Sequence, residues 1–224
     1  MNTTAARSYL SPLQADRIDR ILAATRKLLI EVGVENLTAR KIAEVSQVSP
    51  ATLYNRFGSL DNVITLAVID YFEKSIQSLV RKGSGVQSPL SKAIHSLGVV
   101  DDEAQRGPAF ARALMKTYYK LEADRTMPER LYQSLYQTWL PILEEMQAKK
   151  LLKSWYPLHR LCCELCDCEM NVMVSWSLGI VSNEQLRDRL TFSVLAILLG
   201  GSAAAQAKEI EAVMQEILPR IEAS

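Results

Sequence analysis

Four cysteines lie within seven residues of this sequence, in a segment that could carry thiol or metal chemistry. If the segment is helical, at about 100° per residue, three of the thiols share one broad face with His159, Met170 and Met173, and Cys168 lies nearly opposite. Soft thiolates beside an imidazole suit zinc or copper(I), and a thiol of low pKa reacts with oxidants. The candidate residues are His159, Cys162, Cys163 and Cys166.

Packing is the other interpretation of these cysteines, and we favour it. A single helix rarely supplies a closed tetrahedral site, and the sequence lacks the loop-based Cys-x-x-Cys pairs of structural zinc. Reduced cysteine is also among the most frequently buried residue types. We therefore expect no metal and no cofactor, and keep metal or redox sensing by residues 162–168 as the alternative.

Residues 38–57 hold a second group of side chains with distinctive chemistry. Arg40 can bind guanine through two hydrogen bonds, Asn55 can bind adenine, and small Pro50 and Ala51 can meet a thymine methyl group. Residues 1–60 contain eight Lys and Arg against five Asp and Glu, whereas the remainder contains 18 against 20. A basic end on a slightly acidic chain predicts contact with a polyanion.

Motifs typical of enzymes are missing from the sequence. It has no phosphate-cradling Gly-rich loop, no His-Glu metal pair and no Gly-x-Ser-x-Gly segment. With His95 and His159 as the two histidines, acid–base chemistry would rest on carboxylates or lysines. We therefore expect a protein that is not an enzyme.

Helix signals recur along all 224 residues, and no segment alternates as a strand does. Ser11-Pro12, Thr38 and Ser49-Pro50 predict helices over 12–32, 38–46 and 50–57. The last two are separated by about three residues, as in a helix-turn-helix, with Ile42, Val45, Val48, Leu53 and Phe57 expected to pack onto the first helix. A long helix over 59–82 follows. Further helices are predicted over 89–98, 108–122, 127–150, 158–180, 183–200 and 203–222.

The predicted architecture is therefore all-α. An N-terminal three-helix head with a helix-turn-helix, residues 1–58, is joined by a long helix to a C-terminal helical bundle, and the second domain comprises residues 59–224.

The segment from Leu37 to Phe57 strongly resembles the DNA-binding part of TetR/AcrR-family transcriptional regulators. The shared pattern is a Thr-capped helix containing Ile-Ala, then Val-Ser, then Thr-Leu-Tyr-x-x-Phe. The resemblance implies that Arg40 reaches a base edge and that Thr38 and Ala39 lie against the phosphate backbone. It also implies base-facing positions for Pro50, Ala51 and Asn55, and phosphate contacts for Thr52, Tyr54 and Arg56. The family that this head resembles has a DNA-binding domain at the first position, here 1–58, and an effector-binding and dimerisation domain at the second, here 59–224.

Three positions depart from the family pattern. Gln47 stands where the turn usually has glycine, so a left-handed backbone there would be strained. Leu60 replaces a frequent lysine that contacts phosphate. Arg56 stands where His or Tyr is common and can restore that charge nearby.

The C-terminal part predicts a homodimer and an effector site. The helices over 158–180 and 183–200 are apolar nearly all round, which suits a twofold interface built mainly from the last three helices. By resemblance, a small-molecule effector would enter a cavity between the middle helices. A hydrophobic or aromatic effector suits the candidate side chains, which are Met115, Tyr118, Tyr119, Trp139, Met170, Met173 and Trp176.

Two segments bear on localisation. Charged residues interrupt the N-terminal stretch, and polar residues dilute the uncharged run from Leu190 to Ala207, so neither a secretory signal nor a membrane span is predicted. The sequence thus predicts a cytoplasmic protein. The family resemblance implies a repressor that binds a palindromic double-stranded operator and is released by its effector.

Overall fold

The computed structural model describes residues 11–82, 88–108, 111–112, 115 and 126–223. Within these residues no strand is formed, and the pairing of Leu152 with Ser202 is an isolated bridge, so the all-α prediction is confirmed. The helices with defined bounds are α1 (Pro12–Val32), α2 (Ala39–Ser46), α3 (Pro50–Phe57), α4 (Leu60–Lys82), α5 (Pro89–Arg106), α6 (Thr126–Ala148), α7 (Leu158–Ser177), α8 (Leu186–Gly201) and α9 (Ala204–Glu222).

The first three helices begin at the predicted caps. The Ser11 hydroxyl accepts the Gln14 backbone N–H, and the Gln14 side chain accepts the Ser11 N–H, which completes a capping box. The hydroxyls of Thr38 and Ser49 accept the N–H groups three residues on, at 3.2 and 3.1 Å. In each helix a short polar side chain thus satisfies one of the free N–H groups of the first turn.

The chain divides into two compact units, one ending at Phe72 and the other beginning at Glu73. The functional division after residue 58 stays a prediction. In the first unit, buried apolar side chains from α1 to α4 form the core, including Ile21, Leu29, Ile42, Leu53 and Val63. Arg26 and Asp70 form an ion pair of 2.5 Å at its edge.

Val45 does not pack as the sequence predicts. Its side chain is 45% exposed, whereas Ile42, Ala43 and Ser46 are buried. Those three residues share one arc of α2 at helical spacing, and Val45 lies beyond its edge. Val48, in the turn, is half-buried.

In the second unit, α8 packs against α7, α9 and α5, and α6 packs against α5 and α7. Helix α5 runs to Arg106, so the predicted end at residue 98 is wrong. Gly98 is a place of close approach, because a Cβ there would collide with the guanidinium of Arg187 on α8. Across the described chain, no helix combines the length and apolarity needed to cross a membrane.

Candidate nucleic-acid interface

Helices α2 and α3 are joined by Gln47, Val48 and Ser49, as the sequence predicts. Gln47 has the left-handed conformation, with φ 56° and ψ 45°. Its N–H donates to the Glu44 carbonyl, and the Val48 N–H donates to the Ala43 carbonyl at 2.9 Å. These bonds end α2 and set the direction of α3, although glutamine is strained in this conformation.

Helix α3 has one buried and one exposed face. Leu53 and Phe57 are 2% and 7% exposed and hold the helix against the core. Pro50, Ala51 and Asn55 are all exposed. Residues that could meet base edges therefore lie on the surface.

The predicted phosphate contacts lie around this face. Tyr54 is 51% exposed and Arg56 is exposed, whereas Thr52 is half-buried and its hydroxyl is 2.9 Å from that of Ser49. On α2, Thr38 and Arg40 are exposed and Ala39 is half-buried. The predicted DNA-binding residues thus belong to one unit, and their contacts with DNA stay a prediction.

A groove between α1 and α3 was not predicted. It has a volume of about 240 Å³ and is lined by Gln14, Arg17, Ile18 and Ile21 of α1 and by Thr52, Asn55 and Arg56 of α3. Arg17 is the polar residue that the sequence reading missed. The signal was present, because Gln14, Arg17, Ile18 and Ile21 follow the three-and-four spacing of one helical face.

The predicted effector residues are buried where they are described. Met115, Trp139, Met170, Met173 and Trp176 are at most 6% exposed, and Tyr118 and Tyr119 lie outside the described residues. The indole N–H of Trp176 donates to the Asn183 side chain at 2.9 Å, and the Arg112 guanidinium lies 5.3 Å from its ring centroid. Both a packed core and an effector cavity need buried side chains, so the effector role stays a prediction.

Glu169 is a buried acid that the sequence reading missed. Its side chain is 3% exposed and accepts the Trp139 indole N–H at 2.9 Å. Burial raises the pKa of this carboxyl to about 7, and the bond from Trp139 opposes the rise. Glu169 lies four residues from Leu165, four from Met173 and seven from Trp176, which are all buried. This helical spacing in the sequence already placed Glu169 on the buried face of α7.

The cysteines do not form a metal site with His159. Cys162 and Cys166 are buried, Cys163 and Cys168 are half-buried, and His159 is exposed. No group of three or more His, Cys, Asp or Glu in the described residues could hold a metal ion. The Cys162 thiol donates to the Tyr136 carbonyl at 3.6 Å, which is a packing role. The metal-sensing or redox-sensing alternative therefore lacks support.

The outer surface of α7 and α8 carries an open groove of about 430 Å³. Cys168, Val172 and Ser175 line it from α7, and Arg189, Ser193 and Ile197 line it from α8. Gly201, at the end of α8, faces Leu161 of its own chain, whose nearest side-chain carbon is 3.1 Å from where a Cβ would stand.

Residues 21–64 match the sequence profile of the family described as bacterial regulatory proteins, tetR family. The repressor KstR of Rhodococcus jostii (strain RHA1) is 24% identical over 200 residues, covering 86% of this chain and 87% of that protein. The transcriptional regulator HbdR of Aromatoleum sp. (strain CIB) is 27% identical over 85 residues, covering 38% of this chain and 37% of HbdR.

Solved structures share the fold. Thermus thermophilus FadR, a TetR-family repressor in complex with lauroyl-CoA, has a TM-score of 0.67 and 19% identity, covering 82% of this chain and 94% of FadR. RolR in complex with resorcinol also has a TM-score of 0.67, with 17% identity and coverage of 88% and 93%. At these identities the likeness concerns the fold.

Proposed function

Because the chain belongs to the TetR family of bacterial regulatory proteins, we propose that it is a cytoplasmic, ligand-responsive transcriptional repressor and not an enzyme. It binds a palindromic DNA operator as a homodimer. A small hydrophobic or aromatic effector lowers its affinity for that operator.

The main support for this proposal is helix α3, which has one face buried in the core and one face exposed. Leu53 and Phe57 anchor the helix in the core while Pro50, Ala51 and Asn55 stay exposed. A helix held in this way can enter a major groove, where Asn55 can read adenine and the two small residues can approach a thymine methyl group. Arg40 on α2 adds a side chain able to bind guanine.

A homodimer supplies the second reading helix. One α3 helix makes few base contacts, so two copies on neighbouring half-sites gain both affinity and selectivity. The proposed interface is the outer surface of α7 and α8, where half-buried Ile197 and buried Val172 border an open groove. The lining combines apolar Val172, Val181 and Ile197 with acidic Glu164 and Asp167 and basic Arg189, so a second copy related by a twofold axis can bring both apolar and oppositely charged side chains to the same surface.

The effector site is proposed among Met115, Trp139, Met170, Met173 and Trp176. FadR binds lauroyl-CoA and RolR binds resorcinol in their solved complexes, an acyl chain in one case and a phenol in the other. Buried methionine and tryptophan side chains suit either an acyl chain or a phenol, because these side chains present large apolar surfaces.

The test starts from a random-sequence DNA pool, from which the purified protein selects duplexes. We expect an inverted repeat to be enriched, and its binding to weaken steeply with salt because phosphate contacts release counterions. Tyr54→Ala and Arg40→Ala should each weaken binding without changing the oligomeric state. Fatty acyl-CoAs and simple phenols are then added to the complex, and one class should dissociate it.

Three results would contradict the proposal. They are the absence of any enriched duplex, enrichment of a site without twofold symmetry, and unchanged binding by both variants. Native mass spectrometry of protein purified from cells gives an independent measure of the effector, as an added mass on the dimer.

A further inference from the structure

The basic side chains of residues 11–60 fall into two classes. Most have a partner within the protein: Arg20 pairs with Asp16 at 3.2 Å, Lys27 with Glu31 at 3.8 Å, and Arg26 with Asp70 at 2.5 Å. Lys41 donates to the Asn36 carbonyl at 3.0 Å. These cations are already engaged in the protein.

Arg17, Arg40 and Arg56 form the second class. They lie on α1, α2 and α3 respectively, and none has a hydrogen-bond or ion-pair partner among the described residues. Arg40 and Arg56 belong to the predicted DNA-binding set. Arg17, on a different helix, does not.

Arg17 and Arg56 line the same groove. Its polar lining is completed by Gln14, Thr52 and Asn55, and no carboxylate lines it. The Gln14 side-chain oxygen already accepts the Ser11 N–H, so its amide N–H groups remain as donors. The groove therefore presents two guanidinium groups and several neutral hydrogen-bond donors, a set complementary to an anion.

We propose that Arg17 is a DNA contact in its own right, and that with Arg56 it binds one backbone phosphate of the operator in the groove between α1 and α3. The inference rests on the proposed function, because α3 must approach the duplex for its neighbouring groove to meet the backbone. A guanidinium fork suits phosphate oxygens. This contact compensates for Leu60, which stands where the family often has a phosphate-binding lysine.

The first experiment measures operator affinity as a function of salt with a duplex enriched by the wild-type protein. Arg17→Ala should weaken binding about five- to tenfold and lower the magnitude of the log–log salt slope by about 0.9, the value for one lost phosphate contact. Arg20→Ala is the matched control. It lies one turn away, is exposed and already pairs with Asp16, so its salt slope should remain that of the wild type.

The second experiment locates the phosphate. Single methylphosphonate substitutions along the duplex remove one backbone charge at a time. One position should weaken wild-type binding but not Arg17→Ala binding, because the contact is already absent in the variant. Arg17→Lys should retain the salt slope while losing part of the affinity.

The outcomes separate the inference from the function. If Arg17→Ala binds like the wild type while Arg40→Ala and Tyr54→Ala lose binding, the inference is overturned and the proposed function stands. If Arg17→Ala weakens binding but every methylphosphonate effect persists in it, Arg17 acts only through long-range charge and the inference is again overturned. If no duplex is enriched, both fail.

Discussion

The indole N–H of Trp139 on α6 donates to the carboxylate of Glu169 on α7 across 2.9 Å, and both side chains are almost fully buried. The bond satisfies the indole and one carboxylate oxygen. It does not offset the removal of the carboxylate from water, because the pKa of Glu169 is raised from 4.5 to about 7. The acid thus changes charge near neutral pH inside an apolar core.

Glu169 should make the protein less stable as the pH rises from about 4.5 to 7. In that window the unfolded chain releases the proton while the folded chain keeps it, so the free energy of unfolding falls. A shift of one pKa unit corresponds to about 1.4 kcal/mol, which gives a loss of about 3 kcal/mol between the two limits. Glu169→Gln keeps an acceptor for the Trp139 indole N–H but has no carboxyl proton to release. Its free energy of unfolding should therefore fall much less over the same pH range.

Urea denaturation at pH 5 and pH 7.5, at one protein concentration, measures the difference. Glu184→Gln is the control, because Glu184 is exposed and its pKa is lowered by its own backbone N–H and by Ser182, so it stays ionised throughout. Equal pH dependence in the wild type and Glu169→Gln would show that Glu169 titrates as an ordinary surface acid.

Short sequence patterns were enough to predict where the first three helices begin and which side chains of α3 are buried. Ser11, Thr38 and Ser49 cap helices through bonds between residues three apart, and Leu53 and Phe57 follow helical periodicity. These features depend on neighbours in the sequence, so short patterns contain them.

Features that depend on distant residues were missed. Helix α5 continues through Gly98, and the space beside that glycine is filled by Arg187, 89 residues later in the chain. The partner of Glu169 is 30 residues away, and the groove that contains Arg17 needs α3 beside α1. Sequence periodicity places such residues on a face but does not identify what packs against it.

Gln47→Gly should stabilise the head. Glycine adopts φ 56° without strain, although it also increases the entropy of the unfolded chain, so the net gain is about 0.5–1 kcal/mol in the free energy of unfolding. Glu44→Gly, at an exposed position within α2, should instead destabilise the protein by about 1 kcal/mol. Thermal unfolding of both variants shows whether each substitution raises or lowers stability. A loss of stability in Gln47→Gly would contradict the strain assigned to this turn.

Arg40→Ala should relax base preference as well as weaken binding. Loss of a bidentate contact with guanine costs about 1–3 kcal/mol and affects one position of each half-site. Binding to a set of single-base variants of the enriched duplex gives the change in preference. Lys27→Ala removes an exposed cation that pairs with Glu31 on α1, and its base preference should match that of the wild type. A uniform loss of affinity across all sequences by Arg40→Ala would assign Arg40 to a phosphate instead.

The four thiols should differ in reactivity, with Cys163 alkylated first. Cys162 and Cys166 are buried, and the hydrogen bond between them raises the pKa of Cys166 and lowers the pKa of Cys162. Burial keeps the reagent from both sulfur atoms, so we expect slow labelling of Cys162 in spite of its lowered pKa. Cys168 is half-buried, and burial together with nearby Glu169 raises its pKa to about 11, which lowers its thiolate fraction.

Peptide mass spectrometry after timed iodoacetamide treatment at pH 7.5 should show faster labelling of Cys163 than of the other three cysteines. The unfolded protein, in which all four thiols are accessible, is the control. Faster labelling of Cys162 or Cys166 in the folded protein would contradict the packing role assigned to this segment.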